Sequence, residues 1–188
     1  MKIISLYQNE KRIIKKAAAA NSEAQRMLYD KYAPKMLSVC RQYIRDLQFA
    51  EDVMISGFVK VFNHLDSFKH KGSFEGWIRK IMIRESIAYL RKNQFVVFDD
   101  AVFEKNTHKQ IMMNSELEVA DIQKLIDELP DGYKTVFILY AIESYKHAEI
   151  ADMLGISEST SKTQLLKARK AIQVRLEAQH KLERIKSS

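Results

Sequence analysis

The sequence predicts an all-α chain: two small helical domains joined by a flexible linker, the second a helix-turn-helix. Three observations predict it. The 188 residues hold only five Gly and two Pro, whereas an all-β sandwich or barrel needs turn signals about every 8–12 residues. Apolar residues recur at helical spacing on both sides of the middle of the chain. The middle itself has no stable period, and so long a structureless stretch belongs between domains rather than inside one. The expected division is 1–93, an acidic linker at 94–117, and 118–188.

The elements follow in chain order. The opening MKIISLYQNEKRIIKKAAAA has apolar stretches too short and too charged for a signal-peptide core, and AAAA at 17–20 reads as ordinary helix composition. Met54, Phe58, Val61, Phe62 and Leu65 keep the i, i+3, i+4 spacing of one helix face. SFEGWIRKIMIRESIAYLRK predicts a helix over 73–92 with Ser73 as its N-cap. Successive residues turn about 100° on a helix, so Ile78, Ile81, Met82 and Tyr89 share one side. Lys80, Arg84 and Arg91 gather on another side, with Trp77 beside them. In the linker, QFVVF has strand composition but no partner of similar character. Ile122, Leu125, Ile126 and Leu129 then mark a further helix that Pro130 ends.

The helix-turn-helix is read in HAEIADMLGISESTSKTQLLKARKAI (147–172). A helix through Ile150, Ala151 and Leu154 stops at Gly155, which can adopt the left-handed C-cap conformation. Ile156 is an apolar plug, and Ser157 caps the next helix. In that helix Ser161, Leu165, Ala168 and Ile172 face inward. Ser159, Thr163, Leu166, Lys167 and Lys170 face outward, flanked by Lys162 and Arg169. Short polar side chains come early to reach base edges and cations later for the backbone, as in a recognition helix.

Charge supports a polyanion partner. The net charge is +7 and the pI about 9.3. Residues 1–93 carry 18 basic and 9 acidic side chains, and 94–120 carry 2 and 5. Residues 121–154 carry 3 and 7, and 155–188 carry 8 and 3. Two basic surfaces thus stand apart. In the first, the Lys80–Arg84–Arg91 stripe suits phosphates and the Trp77 ring suits an unpaired base. The loop FKHKGSF (68–74) adds Lys69, Lys71, Ser73 and Phe74, a composition suited to gripping an extruded base.

Catalysis finds no constellation. His64, His70, His108, His147 and His180 are scattered, with no pair at metal-ligand spacing. Cys40 lies in an apolar helical context and reads as packing. A single cysteine builds no disulfide framework, and GSFEG is neither a Walker nor a dinucleotide motif. No run approaches the ~18 apolar residues of a membrane span. The expectation is a cytoplasmic, non-enzymatic protein with no cofactor, no metal and no membrane insertion.

The order of features resembles the extracytoplasmic-function (ECF) subgroup of bacterial RNA polymerase sigma factors. AEDVMISGFVKVFNHLDSF (50–68) and GSFEGWIRKIMIRESIAYLRK (72–92) look like the family's first conserved domain. DELPDGYKTVFILYAIESYKHAEIADMLGISESTSKTQLLKAR (127–169) looks like its second. The resemblance implies that Glu51, Asp52, Ile55 and Ser56 dock on the β′ clamp of core RNA polymerase. It implies that Lys69, Lys71, Ser73, Phe74, Trp77, Lys80 and Arg84 serve the −10 element of promoter DNA. Ser159, Thr160, Lys162, Thr163, Leu166, Lys167 and Lys170 would read the −35 element, and an apolar surface near Phe137 and Tyr140 would meet the β flap. An anti-sigma factor would cover either polymerase-binding surface.

Some positions depart from the commonest family pattern. Ile55-Ser56 stands where Gln-Glu is usual, Arg84 and Ala88 where Asn and Asp are usual, and Ser144 where the turn before the helix-turn-helix often has Gly. These alter specificity more readily than fold. Two rival readings use the same residues. A stand-alone helix-turn-helix regulator would bind operators without polymerase but leaves the 50–92 pattern unexplained. A sigma-like protein that sequesters polymerase would draw on the four departures at Ile55, Ser56, Arg84 and Ala88.

Overall fold

The computed structural model describes residues 2–92 and 119–186, and the chain forms two compact units, Met1–Lys92 and Asn93–Ser188. Every regular element among the described residues is helical, as the sequence predicts. The expected linker at 94–117, with QFVVF, lies outside the described residues.

The first unit comprises α1 (Lys2–Ala18), α2 (Ser22–Tyr43), α3 (Leu47–Asn63), a single 3-10 turn (Leu65–Ser67) and α4 (Phe74–Lys92). Caps fix where α2 and α3 begin. The Asn21 side chain accepts the Ala24 N–H at 2.8 Å and the Asp46 side chain accepts that of Phe49 at 3.0 Å, each satisfying a donor the helix itself cannot pair. Pro34 lies within α2; it removes one helical bond, to the carbonyl of Asp30, on an exposed stretch that water can satisfy.

Leu28, Met36 and Val39 of α2, Phe58 and Val61 of α3, and Ile78, Met82 and Ile83 of α4 form the buried centre. Gly57 lets α3 approach α4, since a Cβ there would collide with the Met82 sulfur. Between α1 and α2, the Glu10 carboxylate accepts hydrogen bonds from Lys31 Nζ and the Tyr32 hydroxyl. Burial pushes the Glu10 pKa up, but those two bonds and the Lys31 charge outweigh it and hold the carboxyl below its ordinary range.

Two expectations need correction. AAAA at 17–20 does not continue a helix: α1 stops at Ala18, and Ala20 takes φ 58°. Alanine's helix preference, worth less than about 1 kcal/mol per residue, yields here to the reversal that packs α1 against α2. The core side of α4 is also wider and differently centred than Ile78–Ile81–Met82–Tyr89. Phe74, Ile83, Ser86, Ile87 and Leu90 are buried with Ile78 and Met82, while Ile81 and Tyr89 sit half-buried at its edge.

The second unit comprises α5 (Val119–Asp127), α6 (Asp131–Phe137) running into a π-helical turn (Ile138–Ile142), α7 (His147–Leu154) and α8 (Glu158–Lys186). Pro130 separates α5 from α6, as expected of a residue that fixes φ and lacks an N–H. Leu129, Tyr133 and Ala168 form a buried cluster, with Phe137, Ala171 and Ile172 packed against it. Lys134 is 2% exposed, and its ammonium meets Asp127 Oδ1 at 2.7 Å. The π turn is closed by Glu143 N–H to Ile138 O at 3.0 Å and Tyr145 N–H to Leu139 O at 2.9 Å, and leaves Ser144 at φ 61°. α8 runs on to Lys186, beyond the 147–172 segment in which the sequence shows the helix-turn-helix.

Candidate nucleic-acid and protein interfaces

Three exposed helix faces emerge, each set by the packing of its opposite side. On α4 the Ser73 Oγ accepts the Gly76 N–H at 3.0 Å, the N-cap the sequence predicts. With the apolar side turned into the core, Lys80, Arg84, Ala88 and Arg91 are all exposed. The loop before α4 bends through His70 at φ 54° and Gly72 at φ 97°. Lys69 and Lys71 are exposed on it.

Phe74 corrects one expectation. It is 3% exposed, packed edge-on to Phe68 at 5.1 Å and to Tyr32 at 5.6 Å, so it cannot stack on a base. Its role is to support Trp77, whose indole stacks on it at 5.7 Å and 20° and leans on Phe68 at 5.5 Å. Trp77 is half-buried, an aromatic with one side held and the other reaching the surface beside the cationic stripe.

On α3 the split is equally clear. Val53, Met54, Gly57 and Phe58 face inward, while Glu51, Asp52, Ile55 and Ser56 are exposed. Sequence reasoning missed that this face is also apolar: Leu47, Phe49 and Val59 are 48, 45 and 54% exposed, alongside Ile55 at 50%. The available signal was apolar residues falling off the Met54–Phe58–Val61 stripe.

The third face belongs to the helix-turn-helix. Gly155 takes φ 69°, and its N–H and that of Ile156 both reach the Ala151 carbonyl, at 2.8 and 3.1 Å. Ser157 Oγ caps α8 by accepting the Thr160 N–H at 3.0 Å. Ser161, Leu165 and Ala168 are buried as predicted. Gln164, which the sequence reading left unplaced, is buried with them. Ser159, Lys162, Thr163, Leu166 and Lys170 are exposed, Leu166 at 68%. Lys167 is half-buried, and Thr160 is drawn into the cap through a 2.8 Å contact between its hydroxyl and that of Ser157. Lys162 pairs with Glu158 at 2.7 Å, one turn earlier.

Phe137 and Tyr140, expected as open apolar surface, are partly taken into packing. Phe137 joins the Leu129–Tyr133–Ala168 cluster. Tyr140 stacks on His147 at 4.5 Å and lies beneath the Arg169 guanidinium at 5.7 Å. Ile142, 43% exposed, is the large apolar residue of that turn left open, beside the exposed Ala141. Cys40 is fully buried and its thiol is pushed by burial up to about 11, which fits packing and not nucleophilic chemistry. No described helix is long and apolar enough to cross a membrane.

The "Sigma-70 region 2" family profile matches residues 28–96, the first unit from α2 onward, and "Sigma-70, region 4" matches 120–172, from α5 into α8. The chain is 29% identical over 135 residues to the RNA polymerase sigma factor SigV of Bacillus subtilis, covering 71% of this chain and 80% of that one. It is 27% identical over 179 residues to the ECF RNA polymerase sigma factor SigW of the same organism, covering 88% and 96%. To the RNA polymerase sigma-H factor of Pseudomonas aeruginosa it is 24% identical over 179 residues, covering 88% and 92%.

Proposed function

The chain belongs to the ECF subgroup of the sigma-70 family, and from that premise we propose how its residues divide the work of starting transcription. As a sigma factor it binds core RNA polymerase and directs promoter-specific, DNA-templated initiation. The family acts in initiation and is not enzymatic, so the chemistry belongs to the polymerase; its own exposed faces supply contacts, in the cytoplasm where polymerase works.

The exposed face of α3 docks on the β′ clamp through Glu51, Asp52, Ile55 and Ser56. The apolar area that Leu47, Phe49 and Val59 add makes this face a hydrophobic contact rimmed by carboxylates. On the −10 element, Lys69, Lys71, Lys80 and Arg84 hold phosphates while Trp77 presents its free side to an unstacked base. On the −35 element, Ser159, Thr163 and Leu166 enter the major groove, with Lys162, Lys167 and Lys170 along the backbone. An anti-sigma factor, expected from the family, would have to cover the α3 face or the surface near Ile142.

Supporting this reading is one observation: two separately folded units each turn an apolar side inward and a cationic side outward. Duplex melting demands both, since each base-pair step costs about 1.4 kcal/mol of stacking. The C-terminal unit grips duplex while the first captures the opened strand. The test is transcription in vitro from pooled genomic DNA with core polymerase, with and without this protein. New starts sharing two spaced upstream motifs are expected. Polymerase binding without new starts would replace the reading with sequestration.

A further inference from the structure

His147 has no part in the interfaces assigned above, yet it sits where the two helices of the helix-turn-helix meet. It is the first residue of α7. Its Nδ1 lies 2.9 Å from the Ser161 hydroxyl of α8, and its ring stacks at 4.5 Å and 23° on Tyr140 of the π turn. Tyr140 in turn lies beneath Arg169, two turns further along α8. Ser161 is fully buried, whereas Thr163 and Leu166 are exposed. Successive residues turn by about 100°, so whatever holds Ser161 sets the direction in which Thr163 and Leu166 point. A helix rolled about its axis would carry those side chains off the base edges they face.

We propose that His147 is the positioning residue of the recognition helix: its neutral imidazole, bonded to Ser161, fixes the rotation of α8, and protonation loosens that setting and weakens −35 docking. This rests on α8 reading the −35 element.

The surroundings of the ring disfavour a second proton. From α8, Lys162 and Arg169 face it as cations, and Glu158, the nearby anion of that helix, is already paired with Lys162. Within α7, Glu149 is occupied by the Lys146 N–H at 2.8 Å, and the ring stands at the positive end of the helix, where a cation is unfavourable. The π turn contributes Tyr140. Burial and then Lys162 hold the imidazole below its ordinary pKa, Glu158 opposing and Arg169 assisting. The sign follows: the unfolded chain takes up the proton first. The contribution is therefore intact above the ordinary histidine range and lost as pH falls through the folded value.

The experiment measures affinity of the reconstituted holoenzyme for a promoter defined by transcript-start mapping, from pH 8 to 5.5. Wild type, His147→Asn and His147→Leu are each compared at the same pH, so titration of the polymerase cancels. Asn can keep a bond to Ser161 without titrating and is expected to match wild type at pH 8, then to bind more tightly than wild type at pH 5.5. Leu keeps contact with Tyr140 but loses the bond, and is expected to bind roughly five-fold more weakly at pH 8, the worth of one ordinary hydrogen bond. In a Ser161→Ala background, His147→Leu should cost nothing further. Identical pH profiles for wild type and Asn would overturn the proposal. So would wild-type binding that tightens relative to Asn on acidification, the mark of an imidazolium on a phosphate, or a Leu variant equal to wild type. Should α8 not read the −35 element at all, reversing Lys167 and Lys170 to Glu would leave transcription unchanged. If only the role of His147 is wrong, that reversal still abolishes it.

Discussion

Removing Asp127 should harm the protein far more than removing the lysine it pairs with. Lys134 is 2% exposed and Asp127 47%, and the 2.7 Å bond between them is the ammonium's one partner among the described residues. Asp127→Ala leaves a positive charge in the interior. Breaking a buried pair this way costs about 3–5 kcal/mol, and because water reaches the open half of this site we take about 2 kcal/mol. Lys134→Met removes charge and donor together while keeping the length of the side chain, and the surviving carboxylate is solvated. Its cost should stay within about 1 kcal/mol, in either direction. For a small helical unit, 2 kcal/mol corresponds to a fall in Tm of about 10 °C. Thermal unfolding followed by circular dichroism, with urea titration as a second measure, compares the two variants and the double substitution. The double should resemble Lys134→Met alone. Equal losses for both single variants, or a larger loss for Lys134→Met, would refute the reasoning.

Other outcomes are expected from the same structure. Ser144→Gly should stabilise the second unit by roughly 0.5–1 kcal/mol, the left-handed strain at φ 61° less the extra freedom of glycine in the unfolded chain; a lowered Tm would contradict this. Trp77→Ala should impair initiation on duplex promoter more than on one with a pre-opened bubble, and equal losses would make the ring purely structural. With the thiol raised to about 11 and buried, Cys40 should resist alkylation at pH 8 in native protein and react readily in denaturant, as mass spectrometry would show. Reversing Lys167 and Lys170 to Glu should abolish promoter-directed transcription while polymerase co-purification persists.

Helix class, the turn at Gly155, the caps at Ser73 and Ser157 and the inward face of α8 were legible because each depends on residues a few positions apart. Leu165 and Ala168 carry their burial in their spacing, and Gly155 carries the turn in its own conformational freedom. What was not legible depends on contacts distant in sequence. The end of α1 inside AAAA is set by α2, not by alanine. Phe74 reads as a loop aromatic until Phe68 and Tyr32 are seen to enclose it. The His147–Ser161 bond spans fourteen residues, and neither residue has a spacing that announces it. Lys134 reads as surface charge because a sequence does not show which lysine the core closes over. The apolar area at Leu47, Phe49 and Val59 was partly readable, as residues off the core stripe, but only the packing of α3 shows that they stay about half exposed, Phe49 even with the Tyr89 ring 5.8 Å away.

Four of the five departures from family habit, Ile55, Ser56, Arg84 and Ala88, are exposed on α3 and α4, and so are Ser159, Thr163 and Leu166 of α8, the residues proposed to enter the groove. Substitutions at such positions usually change stability by less than about 0.5 kcal/mol. Selection can therefore rewrite which promoters this chain obeys without first accumulating stabilising mutations. A laboratory can do the same, exchanging the outward residues of α4 and α8 on an unchanged interior to obtain regulators that ignore one another's targets.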